Sequence, residues 1–250
     1  QKAQYELSYL FPAKKNEDQP IELPAYLYTQ INYGGIVYSK TAIVFDYLMA
    51  ILGEKEMEKA MRHYFDLWHF KHPQPADLKK ALEESTGKDL TWFFNDLINS
   101  TKKIDYKIKS CEKNADGSWK IEVKNKGTIQ SPLFIQGIKD NEVVQKAVYE
   151  GFSGKQALLF PTPGTEIDRF KIDYHEYIPE INRKNNTIKT SGLFKKSKPL
   201  KFQLFGSLDN PDKTQIFYSP VAGWNNYNRW MFGLAFYNHV LLQKKFEFEL

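Results

Sequence analysis

Cysteine is almost missing from this sequence: Cys111 is the single one in 250 residues. An internal disulfide is therefore excluded, although the compartment stays open, because many exported proteins also do without disulfides. No apolar run approaches the roughly 18 residues of a membrane-spanning helix. The opening QKAQYELSYLF has no initiator Met and no apolar run before a small-residue cleavage site, so it does not read as a signal peptide. The chain reads as beginning inside something longer, by processing or by truncation. A strong charge of one sign is also lacking, with 35 Lys and Arg against 30 Asp and Glu and a net of +5. The basic residues are scattered in short pairs such as Lys14-Lys15, Lys102-Lys103, Lys195-Lys196 and Lys244-Lys245, which read as solvated faces. No motif interleaves aromatics with basic residues, so nucleic acid is not an expected partner. What is present is apolar: 42% hydrophobic and 15% aromatic residues, enough for sizeable cores in one large domain or two or three small ones.

Common catalytic signatures are missing as well. There is no HExxH, Gly-x-Ser-x-Gly, Walker loop or GxGxxG. His69 and His72 are three apart, but Pro73 follows at once and no carboxylate stands at ligand spacing on a following helix, so both read as structural. Cys111 sits in an expected strand with no histidine partner and reads as a small buried side chain.

Three compositions follow one another. Residues 39 to about 104 read as helices joined by short loops, hence a compact antiparallel bundle. In TAIVFDYLMAILG, Ile43, Val44, Tyr47, Leu48, Ile51 and Leu52 mark one helix face, and Gly53 stops it. EKEMEKAMRHYFDLWHF continues with an acidic first turn until Pro73 and Pro75 break it. ADLKKALEESTG closes at Gly87. Asp89 is the expected N-cap of a fourth helix that buries Leu90, Phe93, Phe94, Leu97 and Ile98.

From about 105 to 190 the period becomes two. IDYKIKSCEK, SWKIEVKNKG, PLFIQGIKD, VVQKAVYEG and EIDRFKIDY read as short strands of an immunoglobulin-like β-sandwich, with a hairpin turn at residues 115–117. The polar EINRKNNTIKTSG is the expected linker. From 191 to 250 the strands lengthen and become aromatic, with Trp224, Tyr227, Trp230, Phe232, Phe236 and Tyr237 close together. The last run sets Phe246, Phe248 and Leu250 against Lys245, Glu247 and Glu249, and stops in mid-pattern. Such aromatic density occurs on membrane-facing barrels and equally in an ordinary meander with a strong core. The expected fold class is α+β: a helical part (1–104), a sandwich (105–190) and a truncated antiparallel β region (191–250).

One stretch, NYGGIVYSK, places Tyr33 and Tyr38 on either side of Gly34-Gly35 at the mouth of a helix. A tyrosine there can be packing. It can also be a positioned donor: a phenol stays neutral near pH 7, and its O–H bonds a developing oxyanion more strongly than a ground-state carbonyl. Paired glycines let a backbone approach a ligand closely.

Residues 15 to 104 carry a longer pattern. DQPIELPAYLYTQINYGGIVYSKTAIVFDYLMAILGEKEM resembles a segment of the gluzincin aminopeptidases, the family of alanyl aminopeptidase and leukotriene hydrolase. The match runs through Tyr33, Tyr38, Ser39, Lys40 and Ile51-Leu52-Gly53, then Thr86-Gly87, Asp89-Leu90 and Trp92-Phe93-Phe94. The resemblance implies that Tyr38 is catalytic: its hydroxyl would stabilise the oxyanion formed when zinc-bound water attacks a peptide carbonyl. It implies that Tyr33, Gly34 and Gly35 line the peptide substrate, with the glycines as a close-approach turn. It fits a small β domain after the catalytic helices. The aromatic strands resemble the barrel-like C-terminal extension of some bacterial, especially Bacteroidetes-type, relatives, which implies a periplasmic or outer-membrane location.

The departure from the family concerns the metal. The family sets two histidines, a glutamate ligand and a catalytic glutamate well upstream of the tyrosines, whereas here only residues 1–37 precede Tyr38. The expectation is a piece of a zinc aminopeptidase that contributes one wall of its site, binds no catalytic zinc by itself and is inactive alone. A non-catalytic, peptidase-derived binding module and a membrane-associated structural fragment are the alternatives.

Overall fold

The computed structural model describes residues 2–161, 164, 166–242, 244 and 246–250. Two compact units follow one another, Gln1–Lys195 and Lys196–Leu250. The first opens on a helix that periodicity alone does not announce, α1 (Lys2–Lys15), with Pro12 inside it. Tyr9, Pro12 and Ala13 are buried. Next comes α2, a continuous helix over Gln30–Leu52. By length and composition α2 could cross a bilayer, contrary to the expectation from apolar runs. Its apolar stripe is used otherwise: Ile36, Val44, Tyr47 and Leu48 are wholly buried in the protein's own core. Each such side chain contributes ~1.5–3 kcal/mol on burial.

Gly53 ends α2 at φ 90°, and α3 (Glu54–Trp68) and α4 (Pro75–Thr86) follow. Pro75 does not merely break the chain, since it is the first residue of α4, where a missing N–H costs nothing. Gln74 and Asp77 close a reciprocal capping box ahead of it, and Gly87 ends α4 in the left-handed conformation. The fourth expected helix, α5 (Trp92–Ile98), is π-helical and buries Phe93, Phe94, Leu97 and Ile98. Asp89 does not cap it from the N-cap position. Its Oδ1 accepts the Thr91 N–H at 2.8 Å in the turn just before, and the Thr91 hydrogen bonds hold its pKa below the usual carboxylate range.

Seven strands complete the first unit: β1 (Tyr106–Lys113), β2 (Trp119–Asn125), β3 (Leu133–Lys139), β4 (Glu142–Tyr149), β5 (Lys155–Phe160), β6 (Arg169–Ile172) and β7 (Thr187–Lys189). They form two antiparallel sheets, ordered β1-β2-β5 and β4-β3-β6-β7. Phe160 of one sheet meets Phe170 of the other at 5.0 Å between ring centroids, so the two inner faces share a core. The hairpin turn at residues 115–117 is present, with Asn114 N–H donating to the Ser118 carbonyl at 2.8 Å and Gly117 at φ 86°. Cys111 is buried in β1, as expected.

The helices and the sandwich are not separate bodies, because one cluster of buried side chains runs from Tyr9 to Ile188. The Tyr47 hydroxyl donates to the Pro132 carbonyl at the edge of β3. Arg183 pairs with Glu6 of α1 at 3.2 Å. The segment 180–192 is therefore not a linker. Glu180, Asn186 and Ile188 are buried, and β7 completes a sheet. Its polar composition reflects buried polar groups that find partners inside, not a solvated connection.

The second unit holds β8 (Leu200–Leu204), β9 (Thr214–Asn225) and β10 (Arg229–Tyr237), ordered β10-β9-β8. β9 and β10 form the expected antiparallel hairpin. β8, however, joins β9 in parallel, through a nine-residue connection over 205–213 that returns the chain to the same end. The last run is not a full strand: only Tyr237 and Glu249 form a bridge, closed by the two Phe236–Leu250 backbone bonds, each 2.9 Å. Lys245, expected on its polar side, lies outside the described residues.

Candidate functional site

The Tyr33–Lys40 stretch of α2 is π-helical. This is the feature that builds the site. Residues five apart would stand about 140° apart around an α-helix. Bonding from i to i+5 widens the turn and brings them closer to one face, and such π segments recur at functional sites. Tyr33 and Tyr38 are five apart, and their rings meet edge to face at 6.0 Å. Tyr28 extends the row, 6.1 Å from Tyr33 in the same geometry. Tyr33 is 42% and Tyr38 62% exposed, so both phenols face outward.

Electrostatics keep the Tyr38 proton in place. Hydrogen bonding to the Tyr33 side chain, then the proximity of that phenol, raises its pKa above the ordinary tyrosine value. Tyr38 is thus an O–H donor across the physiological range.

The scaffold beneath is rigid. Thr29 caps α2, its Oγ1 accepting the Asn32 N–H at 3.3 Å. Buried Asn32 donates from Nδ2 to the Glu17 carbonyl at 2.8 Å and to Gln19 Oε1 at 3.1 Å. Tyr28 donates to the Pro20 carbonyl at 2.8 Å. At the other end of the π stretch, Lys40 is fully buried and donates to the Ser100 carbonyl at 3.2 Å, just past α5. Burial pushes its pKa down to about 8, while buried Asp18 pulls the other way and Lys103 adds to the depression. Asp18 itself is paired with Lys103 at 2.5 Å. Thr29, Asn32 and Lys40 anchor the helix that carries the tyrosines; sequence reading gave Thr29 and Asn32 no part and Lys40 only a place in the matched pattern. A Thr-x-x-Asn run before an apolar helix is the cap signal that could have found the first two.

Gly34 and Gly35 are not a turn, because both lie within the helix. They differ sharply. A Cβ on Gly34 would meet no atom within 4 Å, whereas one on Gly35 would lie 2.8 Å from the Ser8 carbonyl oxygen of α1. Pro12 explains that oxygen: it has no N–H to return to the carbonyl four residues earlier. At Gly35 the close approach is therefore helix on helix. Gly34→Ala should stabilise by about 0.5–1 kcal/mol through helix propensity. Gly35→Ala should destabilise by roughly 1–3 kcal/mol by forcing α1 off α2. Urea midpoints of the two variants moving in the same direction would contradict this assignment.

Among the described residues the donor set does not fit a catalytic zinc. Among the described residues no three His, Cys, Asp or Glu side chains converge to hold a metal. His69 Nδ1 lies 3.0 Å from the Phe65 carbonyl, and His63 faces Glu84 at 3.7 Å.

Comparison with known proteins bears on the same region. Residues 13–97 match the model of the peptidase family M1 domain. Over 88 residues the chain is 41% identical to aminopeptidase N of Streptomyces lividans, a stretch covering 35% of this chain and 10% of that protein. The crystal structure of Legionella pneumophila aminopeptidase A, solved with aspartic acid, is similar in fold at a TM-score of 0.52 and 16% identity. That likeness covers 70% of this chain and 21% of the solved one. The chain thus spans only a minor part of either relative, and the α+β architecture is shared with an aminopeptidase.

Proposed function

We propose that residues 13–97 form one wall of the active site of an M1-type zinc aminopeptidase, with Tyr38 as its oxyanion donor. The observation that carries this reading is the π-helical presentation of Tyr33 and Tyr38, exposed side by side, inside the segment similar to the peptidase domain. As a scissile carbonyl turns tetrahedral, its oxygen gains charge. Tyr38 meets that oxygen with an O–H already oriented by its neighbour and a fixed backbone, so little reorganisation is required at the moment of reaction. Tyr33 lines the same surface, its ring packed edge to face on that of Tyr38. The substrate is a peptide. Zinc, when bound, activates the attacking water, and its ligands are contributed by residues other than those of this chain.

The test is to express the complete coding region alongside the 250-residue chain. The complete protein is expected to carry one zinc and to release p-nitroaniline from aminoacyl p-nitroanilides. Chelation should remove that activity and added zinc should restore it. The 250-residue chain should do neither. A complete protein without stoichiometric zinc, or one that binds peptides without hydrolysing them, would replace this reading with that of a binding module.

A further inference from the structure

We propose that the β8–β9–β10 sheet is a lipid-facing wall, its even-numbered face set against the hydrocarbon of a bilayer. This inference is independent of the peptidase reading. In the register of the sheet, Trp224 stands opposite Trp230, Ala222 opposite Phe232, Pro220 opposite Leu234 and Tyr218 opposite Phe236. Every even-numbered side chain from 216 to 224 and from 230 to 236 is apolar or aromatic. β8 continues the face with Phe202, which pairs with Ile216.

The two faces differ in exposure. On the even face Trp230 is 66%, Phe232 80% and Leu234 57% exposed. On the odd face Phe217 is wholly buried and Gln215 nearly so, among groups of the same unit. Gln215 Oε1 accepts the Asn210 N–H at 2.7 Å, and Ser219 and Tyr237 share a hydrogen bond of 2.9 Å. The sheet therefore bares a continuous apolar even face, while its odd face mixes Phe217, Val221 and Met231 with Gln215, Ser219 and Tyr237 and is covered only at the Gln215–Phe217 end. Alternation of apolar-out and polar-in is the pattern of barrel strands in lipid.

Dimensions and flanks agree with this occupant. β9 and β10 run 12 and 9 residues, close to the roughly 9–11 that cross a hydrocarbon core at a tilt of about 45°. Between Lys213 and Arg229 no charged residue occurs. Trp224 and Trp230 sit together at the hairpin end, beside Tyr227, where an interfacial aromatic belt belongs. Spanning strands satisfy their backbone only in a closed sheet. Such a wall therefore joins further strands beside β8 and β10, in the manner of outer-membrane proteins.

The 250-residue chain can be refolded from urea into unilamellar phosphatidylcholine vesicles, plain or with brominated acyl chains. Bromine in the acyl chains should quench a share of the tryptophan emission, and that share should vanish in the Trp224→Phe/Trp230→Phe double variant. Phe232→Arg should lower the vesicle-bound fraction severalfold, short of the roughly 30- to 1000-fold of an Arg at the midplane, because it stands two positions from the Trp230 belt. Val221→Arg, on the opposite face, should leave it unchanged. Should Phe232→Arg fail to fold, the bromine experiment on the unaltered chain still decides. Emission indifferent to bromine overturns the proposal. So does a soluble dimer that shields both tryptophans from acrylamide without lipid, since a second copy would then be the occupant.

Discussion

Tyr38→Phe, made in the complete protein, is expected on the proposed aminopeptidase function to lower kcat about 100- to 1000-fold while leaving KM nearly unchanged. The magnitude is that of one lost oxyanion donor, ~2.7–4 kcal/mol of transition-state stabilisation. The split between kcat and KM follows from when the bond is made. The Tyr33 phenol beside it raises the Tyr38 pKa and keeps its hydroxyl a donor. A neutral ground-state carbonyl gains little from that donor, whereas an oxyanion gains much. An interaction made only in the transition state appears in kcat and in kcat/KM equally. Phe keeps the ring, hence the 6.0 Å edge-to-face packing on Tyr33, so the backbone should not move. Tyr33→Phe is the informative partner. It removes the group that holds the Tyr38 proton in the resting state but not the donor itself, so its effect on kcat should be far smaller. An unchanged kcat in Tyr38→Phe would take the residue out of the mechanism, and equal losses in both variants would point to packing.

The sequence disclosed side-chain faces well and backbone devices poorly. Ile43, Val44, Tyr47, Leu48 and Leu52 are buried as their spacing requires, and so are Leu90, Phe93, Phe94, Leu97 and Ile98. The two sheets of the sandwich follow from the period-two runs, since one face of each strand must leave water. Periodicity of 3.6 carries no mark of a π segment, however. The Gly34-Gly35 pair reads as a turn unless one knows that α1 presses on Gly35. α1 itself hides behind Pro12, although Tyr5, Tyr9 and Ala13 recur every four residues. Segment 180–192 reads as a linker because Glu, Asn and Arg normally seek water. Here each finds a partner inside: Asn186 with Glu180, Glu180 with the Tyr106 N–H at 2.8 Å, Arg183 with Glu6. A polar run whose charged groups are paired inside cannot be told from a solvated one by composition. The tyrosines as such were legible through their spacing and family resemblance, while the helix geometry that joins them was not.

The same buried polar segment sets the second large effect, a loss of stability between pH 4.5 and pH 8. Glu180 is completely enclosed, and burial pushes its carboxyl up from 4.5 to about 8, against the hydrogen bonds from Asn186 and Tyr106. In that window the folded protein holds a proton that the unfolded chain has released. Stability from this group is therefore fully present below pH 4.5, falls as pH rises, and is gone above about 8. At 1.36 kcal/mol per unit the slope amounts to at most roughly 5 kcal/mol. Asp173, buried and also raised, adds in the same direction. Lys40 acts with the opposite slope over a higher range. Its pKa falls from 10.5 to about 8, so the folded state sheds its proton first and stability climbs again from pH 8 toward 10.5. The stability of the unit Gln1–Lys195 should accordingly pass through a minimum near pH 8. Glu180→Gln keeps an acceptor for the Tyr106 N–H and removes the titration, so its descending limb should flatten while the rise above pH 8 remains. Lys40→Met should do the converse. Urea unfolding from pH 5 to 10, in a detergent that holds the chain monomeric, separates the two limbs. A descending limb unaltered by Glu180→Gln would show that the carboxyl ionises in the fold at no cost, and that the Glu180–Asn186 pair is a solvated contact.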